Sequence, residues 1–316
     1  NDPQHWSSAY DFRILENILH TKYHTNREIE SVFAELMQRN PLFVQFEAAN
    51  EAYSSLKITD NIGETEESKI HILVLSSLFE TSPLGREMTV NLARHVITAF
   101  KTKEPLMIEL LKNSVIHFVT LNSKFDQVYD QFYRNVSICD PQMNEELGDR
   151  LLTAESDSLK NTFFQLFEKD SISLALTFTA GDDSNVQVLK DREPVYAQFA
   201  HDTQSHLGAQ NQLCNSNPMR INENESLRKI TNLIYRMFNL PLYSINLSCC
   251  KMPSENEIAD IWRENIERIL KFINLGRSGV TGYVKDVHQN PIREARVKVI
   301  GSAREQKVSA NLGFFH

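Results

Sequence analysis

The sequence contains no long apolar segment and no block of like charge. None of its apolar runs approaches the roughly 20 residues that a membrane helix requires, so we expect no membrane segment within this chain. The net charge of −8 is spread along 316 residues, without the clustered Lys/Arg face that binds nucleic acid. We therefore expect no nucleic-acid partner, and 41% hydrophobic residues are enough to bury a full core.

Several common catalytic motifs are also missing. The sequence has no nucleophile elbow, no phosphate-binding loop and no His-Glu-x-x-His zinc helix. His201 and His206 are five residues apart, a spacing that does not place two imidazoles on one helix face. None of these motifs therefore assigns a catalytic site to the chain.

Cysteines and sequons indicate the compartment. The four cysteines allow several disulfide pairings, and the sequence does not choose among Cys139, Cys214, Cys249 and Cys250. Glycosylation sequons begin at Asn135, Asn224 and Asn246. These features favour a glycoprotein that is located in the secretory pathway or outside the cell. Because the chain has neither an initiator Met nor a signal peptide, we expect a processed or excised piece, with any membrane tether in sequence outside it.

Strand and helix patterns alternate along the chain. Apolar runs predict buried strands at Ile70–Leu75, 115–121, Ile172–Thr179 and Leu242–Leu247. Helical spacing predicts helices over 83–100, 104–112, 157–168, 226–238 and 258–273. We therefore predict an α/β fold, with a mixed, largely parallel twisted sheet that has helices on both faces. The strands Ile70–Leu75 and Leu242–Leu247 are expected side by side.

Local signals mark where individual elements begin and end. Thr25 with Glu28, and Ser254 with Glu257, form two capping-box patterns ahead of apolar helical runs. The segments 42–49 and 54–59 are typical of a hairpin-like pair of strands. Gly276 is predicted to end the last helix as a C-terminal glycine signal.

The pattern changes after Gly276. Residues 280–284 and 295–300 alternate in polarity and are separated by a turn that contains Asn290-Pro291, which predicts a β-hairpin. We place a domain boundary here, with one domain over 1–276 and an incomplete all-β domain over 277–316. A unit of about 40 residues is too small for a core of its own, so it is either truncated or packs against another part.

The end of the first central strand is where ligands gather in open α/β sheets. The side chains there are Phe79, Ser82 and Pro83, and none of them holds a metal tightly or moves a proton readily.

Several short segments occur in the order found in one enzyme family: Gly85-Arg86-Glu87, Ile116-His117 with Leu121-Asn122, and Lys251-Met252-Pro253 with its capped helix. In this the chain resembles the zinc metallocarboxypeptidases of the regulatory branch, which includes carboxypeptidases D, E and N. Residues 279–286 and 295–299 are similar to the opening strands of the transthyretin-like β-sandwich that follows the catalytic domain in that branch. The resemblance implies a carboxypeptidase-like domain followed by the start of such a sandwich.

The resemblance also assigns family roles to positions of this chain. Phe79, Ser82 and Ala180 stand where the family has its three zinc ligands, and Asn246 stands where it has the glutamate general base. Tyr235 matches the family's mobile tyrosine, or is a helix-face aromatic. Arg134 matches the arginine that polarises the scissile carbonyl, or is a solvated loop residue.

These replacements predict a catalytically inactive, carboxypeptidase D-type domain that has no zinc cofactor. Zinc enzymes need three protein ligands, and a carboxamide does not accept a proton near neutral pH. Such a pseudoenzyme is expected to bind a protein or peptide, including a C-terminal peptide, or to act as a scaffold. The alternative is an active zinc carboxypeptidase that releases C-terminal Arg or Lys with relocated ligands, drawn from His71, His117 and His201. Asn135 and Asn224 are the candidate glycosylation sites.

Overall fold

The computed structural model describes residues 10–49, 53–63, 66–76, 83–122, 172–180, 186–187, 223–238, 240, 242–248, 250, 252–277, 279–298, 300, 305–309 and 311–316. The predicted helix over 157–168 lies outside this part of the chain. No helix among the described residues is both long and apolar enough to cross a membrane.

A seven-stranded sheet forms the centre of the fold. Its strands are β1 (Val44–Ala49), β2 (Tyr53–Ile58), β3 (Ile70–Leu75), β4 (Ser114–Leu121), β5 (Ile172–Thr179), β6 (Val186–Gln187) and β7 (Leu242–Asn246). Their order across the sheet is β1-β2-β4-β3-β5-β7-β6. The four central strands β4, β3, β5 and β7 are parallel, while β1, β2 and β6 run antiparallel to their neighbours.

This sheet confirms the predicted α/β class with a mixed sheet. The expectation that Ile70–Leu75 and Leu242–Leu247 lie side by side is wrong, because β5 pairs with both β3 and β7 and separates them. The apolar runs identify the strands, but they carry no information about which strand is inserted between two others.

Five helices accompany the sheet in the described residues: α1 (Asn26–Arg39), α2 (Leu84–Lys101), α3 (Pro105–Asn113), α4 (Glu223–Phe238) and α5 (Ile258–Leu275). Side chains from α1, α2, α3 and α5 join residues of six strands in one buried apolar cluster, which includes Phe33, Met88, Phe118, Phe178 and Trp262. The core therefore lies between the sheet and these helices, and α2 is buried along most of its length.

Both predicted capping boxes are present. The Thr25 hydroxyl accepts from the Glu28 amide at 3.2 Å, and the Glu28 carboxylate accepts from the Thr25 amide at 2.8 Å, so α1 begins where the sequence indicates. The box of Ser254 and Glu257 closes a 3₁₀ turn that leads into α5.

Gly276 ends α5 for a different reason from the predicted one. Its φ is −59°, which any residue adopts, so the left-handed conformation is not used here. An added Cβ would lie 2.5 Å from the Leu174 Cδ2 atom. Glycine is therefore needed for the close approach of the helix end to β5.

The C-terminal segment, residues 279–316, forms small antiparallel pairs. β8 (Gly282–Tyr283) pairs with β11 (Phe314–Phe315), and β9 (Arg296–Lys298) pairs with β10 (Glu305–Lys307). The predicted hairpin between 280–284 and 295–300 is formed only at its turn, where Lys285 and Pro291 make an isolated antiparallel bridge. The strands β8 and β9 themselves pair with strands further along the chain.

The same segment touches the first part of the chain. β11 contacts the 3₁₀ turn Glu66–Ser68 just before β3, and the Asn311 amide donates to the Glu67 carboxylate. The all-β segment thus packs against the turn that precedes the central sheet. The proposed domain boundary after Gly276 and the transthyretin-like assignment stay predictions.

Candidate functional site

The carboxyl ends of the central strands bring the predicted site positions together. Thr179, directly before Ala180, is paired in register with Asn246 at the end of β7. Ser76 follows β3, the next strand in the sheet. Ser76, Ala180 and Asn246 are all buried. Ala180 and Asn246 therefore lie at neighbouring strand ends, and the family roles assigned to them stay predictions.

Hydroxyl groups at this edge are engaged in bonds between strands. The Ser76 hydroxyl accepts from the Leu121 amide at 3.1 Å, and the Thr177 hydroxyl donates to the Ser76 carbonyl at 2.9 Å. The hydroxyls of Thr179 and Ser244 are 3.1 Å apart. These neutral groups hold neighbouring strands together, and they are poor ligands for zinc.

Ala180 presents a methyl group at the position that the resemblance assigns to the third zinc ligand. The side chain is 1% exposed and belongs to the apolar core cluster. The next backbone bond across the edge runs from the Leu247 amide to the Thr179 carbonyl at 2.8 Å. A methyl group has no donor atom for a metal ion, so Ala180 does not fit the ligand role that the resemblance assigns to its position.

Asn246 is the last residue of β7 and is 5% exposed. Its backbone carbonyl accepts a hydrogen bond of 2.5 Å from Nη2 of Arg268, a residue of α5. Burial lowers the pKa of Arg268 to about 10. The Asn265 amide group donates to the Leu247 carbonyl at 3.1 Å. The position that the resemblance assigns to the general base therefore carries a carboxamide, with a buried guanidinium bonded to its backbone.

Fewer contacts are described for the other predicted site residues. Phe79, Ser82, Arg134 and Asn135 lie outside the described residues, and Asn224 lies in the first turn of α4, where side chains are not described. Tyr235 is half-buried on α4, and this helix packs against β7. The roles that the resemblance gives to Tyr235 and Arg134 stay predictions.

Two of the three relocated-ligand candidates lie close together. His71 Nδ1 is 3.0 Å from His117 Nε2, and His71 Nε2 is 3.1 Å from the Glu66 carbonyl oxygen. His71 is the second residue of β3, so it lies toward the amino end of the strand. Within the described residues, no group of three His, Cys, Asp or Glu side chains is placed to hold a metal ion. His201 is outside them.

The Gly85-Arg86-Glu87 segment forms a buried polar cluster that sequence reasoning missed. The Glu87 carboxylate accepts from the His24 amide at 2.7 Å and lies 2.6 Å from His24 Nδ1. Arg86 Nη2 donates to the His24 carbonyl at 3.2 Å. His24 is 63 residues away from Glu87 along the chain, and no local pattern signals that pairing. The segment anchors the chain just before α1.

A second long-range contact connects Tyr23, just before α1, to the turn that leads into α5. The Tyr23 hydroxyl donates to the Pro253 carbonyl at 2.6 Å, and the Tyr23 amide donates to the Glu255 carboxylate at 3.1 Å. Cys250, shortly before this point, is disulfide-bonded. The segment that follows β7 is therefore fixed to the rest of the fold at several places.

Comparison with known proteins shows the family of this chain. Carboxypeptidase D of Drosophila melanogaster is 40% identical over 321 residues, which cover 100% of this chain and 23% of that protein. The chain belongs to the metallocarboxypeptidase family. Carboxypeptidase D of Rattus norvegicus is 23% identical and covers 93% of this chain and 23% of its own length. This metallocarboxypeptidase-family chain thus spans less than a quarter of either relative.

A solved structure supports the fold. The carboxypeptidase A of Helicoverpa armigera superimposes with a TM-score of 0.53 at 12% identity, covering 86% of this chain and 78% of that protein. No family model matches the sequence. Membership of the metallocarboxypeptidase family therefore rests on the relatives, and the carboxypeptidase-like fold rests on the structure.

Proposed function

We propose that this chain is a non-catalytic metallocarboxypeptidase domain that binds a protein or peptide or acts as a scaffold. The observation that carries the proposal is the pair Ala180 and Asn246, buried at neighbouring strand ends where the family resemblance requires a zinc ligand and a general base. One residue has no ligand atom and the other does not titrate near neutral pH.

Ligand chemistry supports the absence of zinc. A catalytic zinc is held by three protein ligands, with a fourth position open for water. Ala180 donates nothing, and the sequence offers only Phe79 and Ser82 at the other two family positions. These residues do not fit the zinc of the family, so we propose that the domain has no zinc cofactor.

The proposed loss of the proton acceptor is independent of the metal. A general base contributes about 10²–10⁴-fold to such reactions. The carboxamide of Asn246 does not take a proton from water at neutral pH, and Tyr235 and Arg134 do not replace that function. Loss of either the ligands or the base disables the family mechanism.

We also propose the compartment and the partner class. Disulfides persist in oxidising compartments, so the bonded Cys250 supports the secretory pathway or the extracellular space, with glycans on Asn135 and Asn224. The partner is a protein or peptide, and a peptide C-terminus is the ligand class if the cleft still binds. A tether outside this chain would place the domain at a membrane.

Elemental analysis of the purified chain tests the proposal. We expect far less than one zinc per chain after dialysis against buffer that contains zinc, and no release of C-terminal Arg or Lys from peptides. One bound zinc per chain, together with release that a chelator stops, would overturn it.

The alternative, an active carboxypeptidase with relocated ligands, is tested on the same material. If His71 and His117 held a catalytic zinc, then His71→Ala would remove both zinc and peptidase activity, while Glu267→Ala at the surface would change neither.

A binding assay separates a peptide receptor from a scaffold. A receptor loses affinity for C-terminally basic peptides on Tyr235→Ala and Arg134→Ala, whereas a scaffold shows no such affinity.

A further inference from the structure

Arg268 has a direct structural connection to the position of the lost base. Its side chain is 4% exposed on α5. Nη2 donates to the Asn246 carbonyl at 2.5 Å and to the side-chain oxygen of Asn265. Asn265 in turn donates to the carbonyls of Leu247 at 3.1 Å and Ile261 at 2.7 Å. Two adjacent carbonyls at the end of β7 are therefore held by side chains of α5.

The same side chain brings a charge to this edge of the sheet. Burial is the main cause that lowers the pKa of Arg268, to about 10, and Glu264 opposes the change. The guanidinium is therefore still protonated at neutral pH. Because its acceptor is the backbone oxygen of Asn246 itself, any side chain at position 246 begins within a few ångström of this positive charge.

We propose that Arg268 is a positioning residue that fixes the end of β7 and would make a carboxylate at position 246 a weak base. An opposite charge at short range favours the ionised carboxylate, and an acceptor whose pKa lies far below 7 is a poor general base near neutral pH. Restoring glutamate at position 246 would therefore not restore a proton acceptor. The role of Arg268 in fixing the end of β7 does not depend on the proposed function. Its bearing on catalytic inactivity rests on that proposed function.

The test compares four proteins: Asn246→Glu, Asn246→Gln, Asn246→Glu with Arg268→Gln, and Asn246→Glu with Arg268→Lys. The Asn246→Gln protein is the matched neutral control. Arg268→Gln keeps an N–H donor without charge, and Arg268→Lys keeps the charge. Carbon-13 NMR of labelled glutamate measures the pKa of the introduced carboxyl directly.

We expect that carboxyl to have a pKa below the ordinary glutamate value of about 4.3 when Arg268 is present. With Arg268→Gln, burial acts alone, and we expect the pKa to rise by at least about one pH unit. Arg268→Lys should restore the low value. An equal or higher pKa in the protein that keeps Arg268 would overturn the inference.

A second measurement does not depend on the folding of the glutamate variants. In the otherwise unchanged chain, Arg268→Gln should increase hydrogen exchange of the Leu247 amide about tenfold, while exchange of the Leu73 amide in β3 stays the same. Unchanged exchange at Leu247 would overturn the positioning role. Neither readout involves zinc or peptidase activity, so a failure here is distinct from a failure of the proposed function.

Discussion

Two regions of this chain retain the metallocarboxypeptidase pattern to different degrees. At the start of α2 the Gly85-Arg86-Glu87 segment is intact, and its charged side chains are buried in bonds to His24. At the ends of β5 and β7, the resemblance assigns a zinc ligand and the general base to Ala180 and Asn246, whose backbones lie at neighbouring strand ends. We propose that the first region stabilises the fold and that the second has lost the chemical role of the family.

Removing the buried carboxylate at the retained segment should have the largest effect. Glu87→Ala leaves the His24 amide and imidazole without their acceptor in a dry environment, and we expect a loss of about 3–5 kcal/mol in unfolding free energy. Urea denaturation measures it. Glu267→Ala removes a surface partner of Lys271 and should cost less than about 1 kcal/mol. Equal losses for both variants would contradict the role of the buried Glu87 in anchoring the chain before α1.

Acidification should destabilise the protein through histidines near the retained segment. Burial lowers the pKa of His95 to about 4. Burial, followed by Arg94, lowers the pKa of the partly exposed His20 to about 4. The ordinary histidine value is about 6.5, so the unfolded chain binds protons that the folded chain does not.

The contribution of these histidines to the unfolding free energy should therefore have its full value above about pH 6.5 and decrease as the pH drops to about 4. His95 accounts for up to about 3 kcal/mol, and His20 for less because of solvent screening. Urea denaturation at several pH values measures the slope. His95→Gln should flatten it, and an unchanged slope in that variant would contradict the assignment.

Substitution of Gly276, which lies close to β5, should reduce the unfolding free energy by an intermediate amount. Gly276→Ala puts a Cβ 2.5 Å from Leu174 and should cost about 1–3 kcal/mol through overpacking. Thermal unfolding measures the change. Because the φ value is ordinary, the double change Gly276→Ala with Leu174→Ala should relieve the contact, and the loss from the alanine at 276 should then largely disappear.

We expect no N-glycosylation at Asn246, at the end of β7. The Asn246 sequon lies in a buried strand, where a glycan has no room. Glycopeptide mass spectrometry of material expressed through a secretory pathway should find sugar on Asn135 and Asn224 and none on Asn246. Sugar on Asn246 would contradict the packing of β7.

Periodicity and capping patterns were enough to predict most of the described elements. The apolar run of Ile172–Thr179 matches β5 at both ends, and the Thr25 box marks the start of α1. These signals are local, and the structure satisfies them locally. The family resemblance singled out Ala180 and Asn246, and the structure shows that they lie at neighbouring strand ends.

The failures all involve partners that are distant in sequence. The pairing of β8 with β11 links residues near 282 to residues near 315, and alternation of polarity does not identify a partner. The same holds for His24 with Glu87 and for Arg268 with the end of β7. Buried charges are stabilised by tertiary contacts, which no short pattern encodes.

The contact between β11 and the 3₁₀ turn Glu66–Ser68 has a consequence for stability. One of its hydrogen bonds, from the Asn311 side chain to the Glu67 carboxylate, is exposed to water, and exposed polar contacts add little free energy. This bond therefore contributes little to the attachment of residues 279–316 to the turn before the central sheet.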